Sequence, residues 1–144
     1  MSTTSPPSLT ALTTYLLSTV GKAARGRHAA QLADRGMRLW HMAILAALAD
    51  VGAHAQHQLA ERLGMHVSDT AKVVDELERG GYVARERNPA DRRQVLVTVT
   101  AEGRTTLAAL TADAAAVQED ILAPLTARDR DTLHRLLLRL HTGL

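Results

Sequence analysis

The chain has 144 residues, of which 46% are hydrophobic and 2% aromatic, with no cysteine and a formal net charge of +2. This length indicates one domain around one core, and the apolar fraction excludes a disordered chain. The lack of cysteine excludes disulfides, thiolate metal sites and cysteine redox chemistry, while a core of Leu, Val and Ala favours packed helices over a sheet sandwich.

The N-terminal part begins with a polar stretch. Residues 1–7, MSTTSPP, are predicted to form a disordered leader, with Ser8 as a helix N-cap after the prolines. Apolar residues at helical spacing over 9–33 predict the first helix. Because the first charged residue is Lys22 and the stretch before it is rich in Ser, Thr and Pro, neither a signal peptide nor a membrane span is predicted. We therefore expect a cytoplasmic protein.

Three shorter helices follow, each with a glycine after it. The predicted spans are Leu39–Val51 before Gly52, Gln56–Leu63 before Gly64, and 68–79 before Gly80 and Gly81.

The hydrophobic period then changes from 3.6 to 2, which predicts two strands, YVARE (82–86) and QVLVTVT (94–100), joined by the turn RNPADRR (87–93). Thr100 is predicted to cap the next helix, which ends before Pro124, and Thr126 with Asp129 opens the last helix. The predicted fold is mainly α, in the order α-α-α-α-β-β-α-α.

Residues 58–81, QLAERLGMHVSDTAKVVDELERGG, are typical of a helix-turn-helix, whose second helix enters the major groove of DNA. The start of that helix is polar once the face of Val73, Val74 and Leu77 is buried. The polar residues that could contact bases are His66, Ser68, Asp69, Thr70 and Lys72. The alternative is that they are caps and solvated surface.

A ribbon that follows a helix-turn-helix directly indicates a winged helix. The predicted ribbon carries four arginines, Arg85, Arg87, Arg92 and Arg93, against only Glu86 and Asp91. A guanidinium at the tip of a thin ribbon can enter a narrow minor groove, and Asp91 could orient Arg93. The alternative is an edge hairpin kept soluble by its charges.

Residues 58–104 resemble the MarR (multiple antibiotic resistance regulator) family of winged-helix repressors. The family's wing pattern, D-x-R followed by alternating apolar residues and LT-x-EG, corresponds to Asp91-Arg92-Arg93 and VTAEGR. The resemblance implies a single MarR-like domain over 8–144. Within it, dimerisation helices over 8–36 and 101–144 would flank a DNA-binding lobe over 38–100. It also implies an effector pocket between the dimerisation and DNA-binding regions.

By the same resemblance, the family's groove-contacting positions fall on Ser68, Asp69, Ala71 and Lys72, the wing arginine on Arg93, and its partner on Asp91. Two positions depart from the family: Ala71 stands where Ser or Thr is usual, and Asp69 where a small hydroxyl residue is common. An aspartate can accept from cytosine N4 but otherwise repels phosphate, so the bases read stay open.

A homodimer is also predicted from the leucine stripes of the first and last helices, which lie outside the middle lobe. The alternative is an ordinary helix pair within one chain.

Residues 22–42, KAARGRHAAQLADRGMRLWHM, are basic around one tryptophan, and the resemblance places them beside the effector pocket. The candidate effector-binding residues are Arg25, His28, Arg38, Trp40 and His41, with Arg35 nearby. Arginine with an aromatic plane suits a small anionic or aromatic effector. Alternatively, Trp40 belongs to the core and the arginines are surface or phosphate contacts.

Three histidines are candidate ligands of a metal ion. His54 and His57 are three residues apart and His66 follows, but no cysteine or well-placed carboxylate completes a set of three or four ligands. We therefore predict no metal and no cofactor. The lack of a glycine-rich phosphate loop or a nucleophile elbow predicts that the protein is not an enzyme.

These patterns predict a sequence-specific transcriptional regulator that binds double-stranded DNA. The most specific hypothesis is a homodimeric repressor of a palindromic operator, released by a small-molecule effector. Two alternatives stay open: a winged helix that binds protein, and a DNA-binding regulator without an effector.

Overall fold

The computed structural model describes residues 4–144 and confirms the predicted fold class, mainly helical with a winged helix-turn-helix. The helices are α1 Pro7–Thr10, α2 Thr13–Asp34, α3 Leu39–Val51, α4 Gln56–Leu63, α5 Val67–Arg79, α6 Ala101–Ile121 and α7 Ala127–Thr142. The strands are β1 Val83–Asn88 and β2 Asp91–Val99, paired antiparallel.

The N-terminal helix differs from the prediction. A separate short helix, α1, precedes α2, so the helix expected over 9–33 is interrupted at Ala11 and Leu12. Pro7 starts α1, because its fixed φ suits the first turn and its missing N–H needs no partner there. Ser8 therefore lies inside α1 and is not an N-cap. Of the predicted leader, residues 1–3 lie outside the described residues.

The central lobe, His28–Asp113, is one compact unit with a core of aliphatic side chains. Its most deeply buried members, each at most 2% exposed, are Ile44, Leu45, Leu48, Leu59, Val74, Leu77, Val83, Val97 and Leu110. Burying one such side chain contributes about 1.5–3 kcal/mol. The core therefore fixes how α3, α4, α5 and the sheet pack together.

The turn of the helix-turn-helix depends on Gly64. Its φ of 65° lies in the left-handed region, which a residue with a Cβ adopts only with strain. The N–H of Met65 returns to the carbonyl of Ala60 at 2.9 Å and closes the end of α4. This tight turn leaves only three residues between the end of α4 and the start of α5.

The base of the sheet is tied to the segment between α3 and α4. His54 pairs with Val97 through both of its backbone groups, at 3.1 and 2.7 Å. The wing is therefore anchored at its base to the helix-turn-helix.

The wing has a shorter turn than the seven residues predicted. Both strands run farther toward the tip, and only Pro89 and Ala90 lie between them. The side chain of Asn88 stabilises this turn by accepting the N–H of Ala90 at 3.0 Å. The register shifts after Arg87, so Arg92, Arg93 and Gln94 lie opposite no residue of β1.

The junction of the wing with α6 explains the glycine of VTAEGR. Thr100 caps α6 as predicted, since its hydroxyl accepts the N–H of Gly103 at 3.0 Å. A Cβ at Gly103 would lie 2.1 Å from the carbonyl oxygen of Tyr82. The backbones approach too closely there for any side chain.

The second unit consists of residues 4–27 and Ala114–Leu144. Thr126 caps α7 by accepting the N–H of Asp129 at 3.2 Å. Arg130 closes the connection between α6 and α7, with Nε 3.1 Å from the Leu122 carbonyl and a guanidinium nitrogen 2.7 Å from Glu119.

This terminal unit leaves many apolar side chains exposed. Val117 is the one hydrophobic residue that is fully buried among its described residues. The exposed ones are Leu9, Leu12, Leu16, Leu17, Val20, Leu136, Leu137, Leu138, Leu140 and Leu144. Even so, no helix within residues 4–144 is long and apolar enough to cross a bilayer.

Candidate nucleic-acid interface

The start of α5 presents a polar, solvent-exposed surface. His66 is its N-cap residue, and Ser68, Asp69 and Lys72 are exposed. Within residues 4–144, neither Asp69 nor Lys72 takes part in a salt bridge. These side chains are therefore available to a partner, while Ala71 is half-buried.

Thr70 does not belong to that surface, and its predicted contact with DNA is wrong. Its side chain is 0% exposed, and its hydroxyl donates to the carbonyl of His66 at 2.9 Å. The physical reason is helical spacing, since Thr70 shares the buried stripe of Val73, Val74 and Leu77.

The wing presents its arginines unequally. The side chain of Arg93 is 97% exposed, and Asp91 accepts its backbone N–H at 3.1 Å, with 3.8 Å between Asp91 Oδ1 and Arg93 Nε. Arg92 is also exposed. Arg87 donates to the carbonyl of Arg92 at 2.8 Å and so braces the tip across the two strands. Arg92 and Arg93 are thus wing cations that are exposed to a ligand.

An open groove of about 610 Å³ lies between the wing and the start of α5, lined by residues that include Gln56, Val67, Arg93 and Val95. Helix and wing therefore form two separate contact surfaces with a concave space between them.

Arg85, which was predicted to contact DNA, is instead held by neighbours within the lobe, and its side chain is 25% exposed. Its guanidinium lies 2.6 Å from Asp75, 2.8 Å from Glu78 and 2.5 Å from Gln56. Burial lowers the pKa of Arg85, but the hydrogen bonds that Arg85 donates to Asp75 and Glu78 outweigh it and raise the pKa above its ordinary value. We call Gln56, Asp75, Glu78 and Arg85 the wing clamp, because they join β1 to α4 and α5.

A second cluster joins the start of α3 to α5. His41 Nδ1 accepts the backbone N–H of Arg38 at 2.9 Å, so the proton lies on Nε2, which donates to Glu76 at 2.7 Å. A guanidinium nitrogen of Arg38 lies 2.8 Å from the same carboxylate oxygen. We call Arg38, His41 and Glu76 the α3 clamp.

The α3 clamp changes the interpretation of one candidate effector residue. His41 is 6% exposed with both ring nitrogens occupied, so the predicted direct contact with an effector is not available in this arrangement. The hydrogen bond from His41, supported by Arg38 and opposed by burial, holds the pKa of Glu76 below its ordinary value. Glu76 is therefore ionised at neutral pH.

Other candidate effector residues differ in exposure. Trp40 is 43% exposed, which excludes a place in the core of this chain, and the side chain of Arg38 is 56% exposed. His28 is half-buried in the lobe, while Arg25 is exposed in the terminal unit. Nearby Arg35 is instead held by Asp113 at 2.6 Å, and that hydrogen bond lowers the pKa of Asp113.

The histidines considered for a metal have other contacts. His54 is buried, with Nδ1 donating to the Gly52 carbonyl at 2.6 Å and Nε2 accepting from Arg62 at 2.9 Å. His57 is exposed on α4. No group of three His, Asp or Glu side chains within residues 4–144 is placed to hold a metal ion.

Sequence reasoning missed the acidic partners, Asp75, Glu76 and Glu78. One signal was present, because Glu76 and Glu78 are the neighbours of Leu77 and must flank the buried stripe of α5. Their cationic partners lie up to 38 residues away and depend on the tertiary fold.

Comparison with known sequences places this lobe among transcriptional regulators. A model of the MarR family matches residues 35–94. The transcriptional regulator HosA of Escherichia coli O111:H- is 31% identical over 98 residues, which cover 68% of this chain and 73% of HosA. YcgE of Bacillus subtilis, an uncharacterized HTH-type transcriptional regulator, is 38% identical over 50 residues, and the chain spans 32% of its length.

Solved structures are similar over most of the chain. A probable transcriptional regulator from Pseudomonas aeruginosa is 30% identical with a TM-score of 0.72, covering 90% of this chain and 96% of the other. The Mycobacterium tuberculosis MarR family protein Rv2887, in complex with p-aminosalicylic acid, is 28% identical with a TM-score of 0.74, covering 90% and 98%.

Proposed function

The chain belongs to the MarR family of transcriptional regulators, and on that premise we propose that it is a homodimeric repressor of a palindromic operator, released by a small anionic effector. Membership of this family makes the protein a transcription regulator and not an enzyme. The observation that carries the proposal is the wing arginine Arg93, 97% exposed beside the polar start of α5.

DNA recognition is divided between these two elements. Ser68, Asp69 and Lys72 lie at the N-terminal end of α5, which is the end that meets base edges in a helix-turn-helix. Arg93 enters the minor groove or contacts adjacent phosphates, where the negative potential is strongest. The helix supplies base selectivity, and the wing supplies mainly affinity.

The dimer is supported by the exposed apolar side chains of the terminal unit, ten of which are large hydrophobic residues. A soluble chain rarely leaves so much apolar surface in contact with water, and a second copy is the simplest partner. Two copies related by a twofold axis present two α5 helices, and a separation of about 34 Å matches an inverted repeat on one face of DNA.

An aromatic carboxylate is the effector class that the exposed residues support. Arg38 offers a half-exposed guanidinium, and Trp40, two residues on, offers a half-exposed aromatic plane. The relative Rv2887 was crystallised with p-aminosalicylic acid, which belongs to this class. Bound effector would change the spacing of the two α5 helices, so that both can no longer reach successive major grooves.

The test is a binding titration with the duplex upstream of the protein's own coding region, with and without salicylate. A DNA-binding regulator loses affinity for the duplex as salt is added, and log K falls with log salt concentration with a slope of about 0.9 per phosphate neutralised. Salicylate is expected to lower the affinity further. A winged helix that binds protein would show no selective duplex binding. Selective binding of the duplex with an affinity that salicylate and related acids do not change would instead indicate a regulator that does not respond to this class of effector.

A further inference from the structure

The C-terminal half of α5 carries three acidic residues, Asp75, Glu76 and Glu78, on the helix proposed to lie against a polyanion. Free carboxylates there would repel phosphate. All three are instead held by arginines of the lobe, at distances of 2.6 to 2.8 Å. Their role must therefore be sought within the lobe.

The two clamps hold α5 from opposite sides. Glu76 and Glu78 flank Leu77, which is 1% exposed, so at about 100° per residue their side chains leave the helix on either side of the buried stripe. Glu76 is bound by Arg38 and His41 at the start of α3, and Glu78 by Arg85 of β1.

Apolar contacts are non-directional, so they restrain the rotation of a helix about its axis less sharply than hydrogen bonds do. The buried stripe of α5 holds only three aliphatic side chains, Val73, Val74 and Leu77. Charge-assisted hydrogen bonds on both flanks are directional and oppose rotation in either sense.

Small rotations matter for base recognition. Side chains of an α-helix end about 5–6 Å from its axis, so a rotation of about 10° moves them by about 1 Å. Hydrogen bonds require a distance of about 2.7–3.2 Å between heavy atoms. A displacement of about 1 Å therefore breaks a hydrogen bond to a base.

Provided that α5 contacts DNA bases as proposed above, we propose that the two clamps set the rotation of α5 about its axis. Glu76 is then a positioning residue for operator selectivity that does not itself touch DNA. Glu76 acts by holding α5 against the start of α3. Its loss therefore lowers selectivity between sequences and leaves the number of phosphate contacts unchanged.

The test compares full-length wild-type protein with Glu76→Ala, Glu76→Gln and the control Glu61→Ala. Glu61 is an exposed acid of α4 that forms no salt bridge within the described chain, so its loss reports the general effect of removing one negative charge. The probes are a duplex selected by the wild type from a random library and a scrambled duplex of equal length. The readouts are the ratio of the two affinities and the slope of log K against log salt.

We expect Glu76→Ala to lower the affinity ratio by about tenfold or more, the size of a lost base contact, with the salt slope unchanged. Glu76→Gln keeps an oxygen that accepts from both His41 and Arg38, so it should retain most of the selectivity, and Glu61→Ala should retain all of it.

An affinity ratio of Glu76→Ala within twofold of the wild-type ratio would overturn the proposal. A loss of selectivity in Glu76→Gln equal to that in Glu76→Ala would also overturn it, because the negative charge of Glu76 and not its hydrogen bonds would then be responsible. If Glu76→Ala does not fold, Arg38→Met removes one of the two bonds at a half-exposed site, and its affinity ratio is judged by the same criteria. A wild type that selects no duplex at all would instead refute the proposed function.

Discussion

Arg93 is the residue on which DNA affinity should depend most directly. Its side chain is 97% exposed and its one ion pair within the described chain is with Asp91 at 3.8 Å, so its removal costs little packing. Arg93→Ala should weaken binding of the operator by about fivefold or more, the effect of one lost charge-assisted contact, and leave the oligomeric state unchanged. Fluorescence anisotropy with a labelled duplex measures the affinity, and sedimentation measures the mass.

The matched control is Arg128→Ala, which removes an exposed arginine from the start of α7. It should bind the operator as the wild type does. Equal affinities for the wild type and Arg93→Ala would remove the wing from the mechanism.

Glu76 should also make the lobe sensitive to acid. Its pKa is lowered in the folded protein from an ordinary value of 4.5, mainly by the hydrogen bond from His41. A lowered carboxyl pKa stabilises the fold above the unfolded pKa, and that stability is lost as the pH falls through the folded pKa. The melting temperature of the wild type should therefore fall more steeply below about pH 4.5 than that of Glu76→Gln. Parallel curves at equal protein concentration would contradict this role of Glu76.

At the scale of residues, Thr70 and Arg85 show what sequence patterns can and cannot settle. Thr70 lies three, four and seven positions before Val73, Val74 and Leu77, so helical spacing alone would have assigned it to the buried stripe. Helical spacing could not have predicted the role of Arg85. Its partners are on α4 and α5, and only tertiary packing brings them to one guanidinium.

The junction of β1, β2 and α6 is the element-scale feature that should tolerate substitution least. A Cβ at Gly103 would lie 2.1 Å from the Tyr82 carbonyl oxygen, and a backbone atom cannot move aside without shifting the strand. Gly103→Ala should therefore destabilise the fold by about 1–3 kcal/mol, measured by denaturant unfolding.

Gly26→Ala in α2 is the control, because nothing lies within 4 Å of the added Cβ. Alanine is the better helix former, so this change should be neutral or stabilise by up to about 1 kcal/mol. A loss of stability as large as that of Gly103→Ala would show that close approach at the junction is not the cause.

The helices of the lobe were the most predictable elements. The bounds of α3 and α4 match the sequence prediction, since Gly52 and Gly64 each end a run of residues at helical spacing. The tip of the wing was less predictable. Its two-residue turn is held by two side-chain hydrogen bonds of Asn88, to Ala90 and to Gln94, which no hydrophobic period reveals.

At the scale of the whole molecule, the terminal unit should hold two copies together. Leu140 is 59% exposed on α7, and Leu140→Glu would place a charge in the proposed apolar contact between copies. We expect sedimentation to show a shift from dimer to monomer, and operator binding to weaken sharply because one subunit reaches only half of an inverted repeat.

Val51→Glu provides the comparison, because Val51 is 57% exposed but lies at the end of α3 in the lobe. It should leave the dimer intact. A Leu140→Glu protein that sediments as the wild type does would place the contact between copies elsewhere.

The most direct test of the account is one titration of the full-length protein against its selected operator and a scrambled duplex, between about 50 and 200 mM salt. We expect one dimer per operator, selective binding, and an affinity that falls linearly on a log–log plot as salt rises. A monomer on the DNA, or an affinity that does not change with salt, would contradict it.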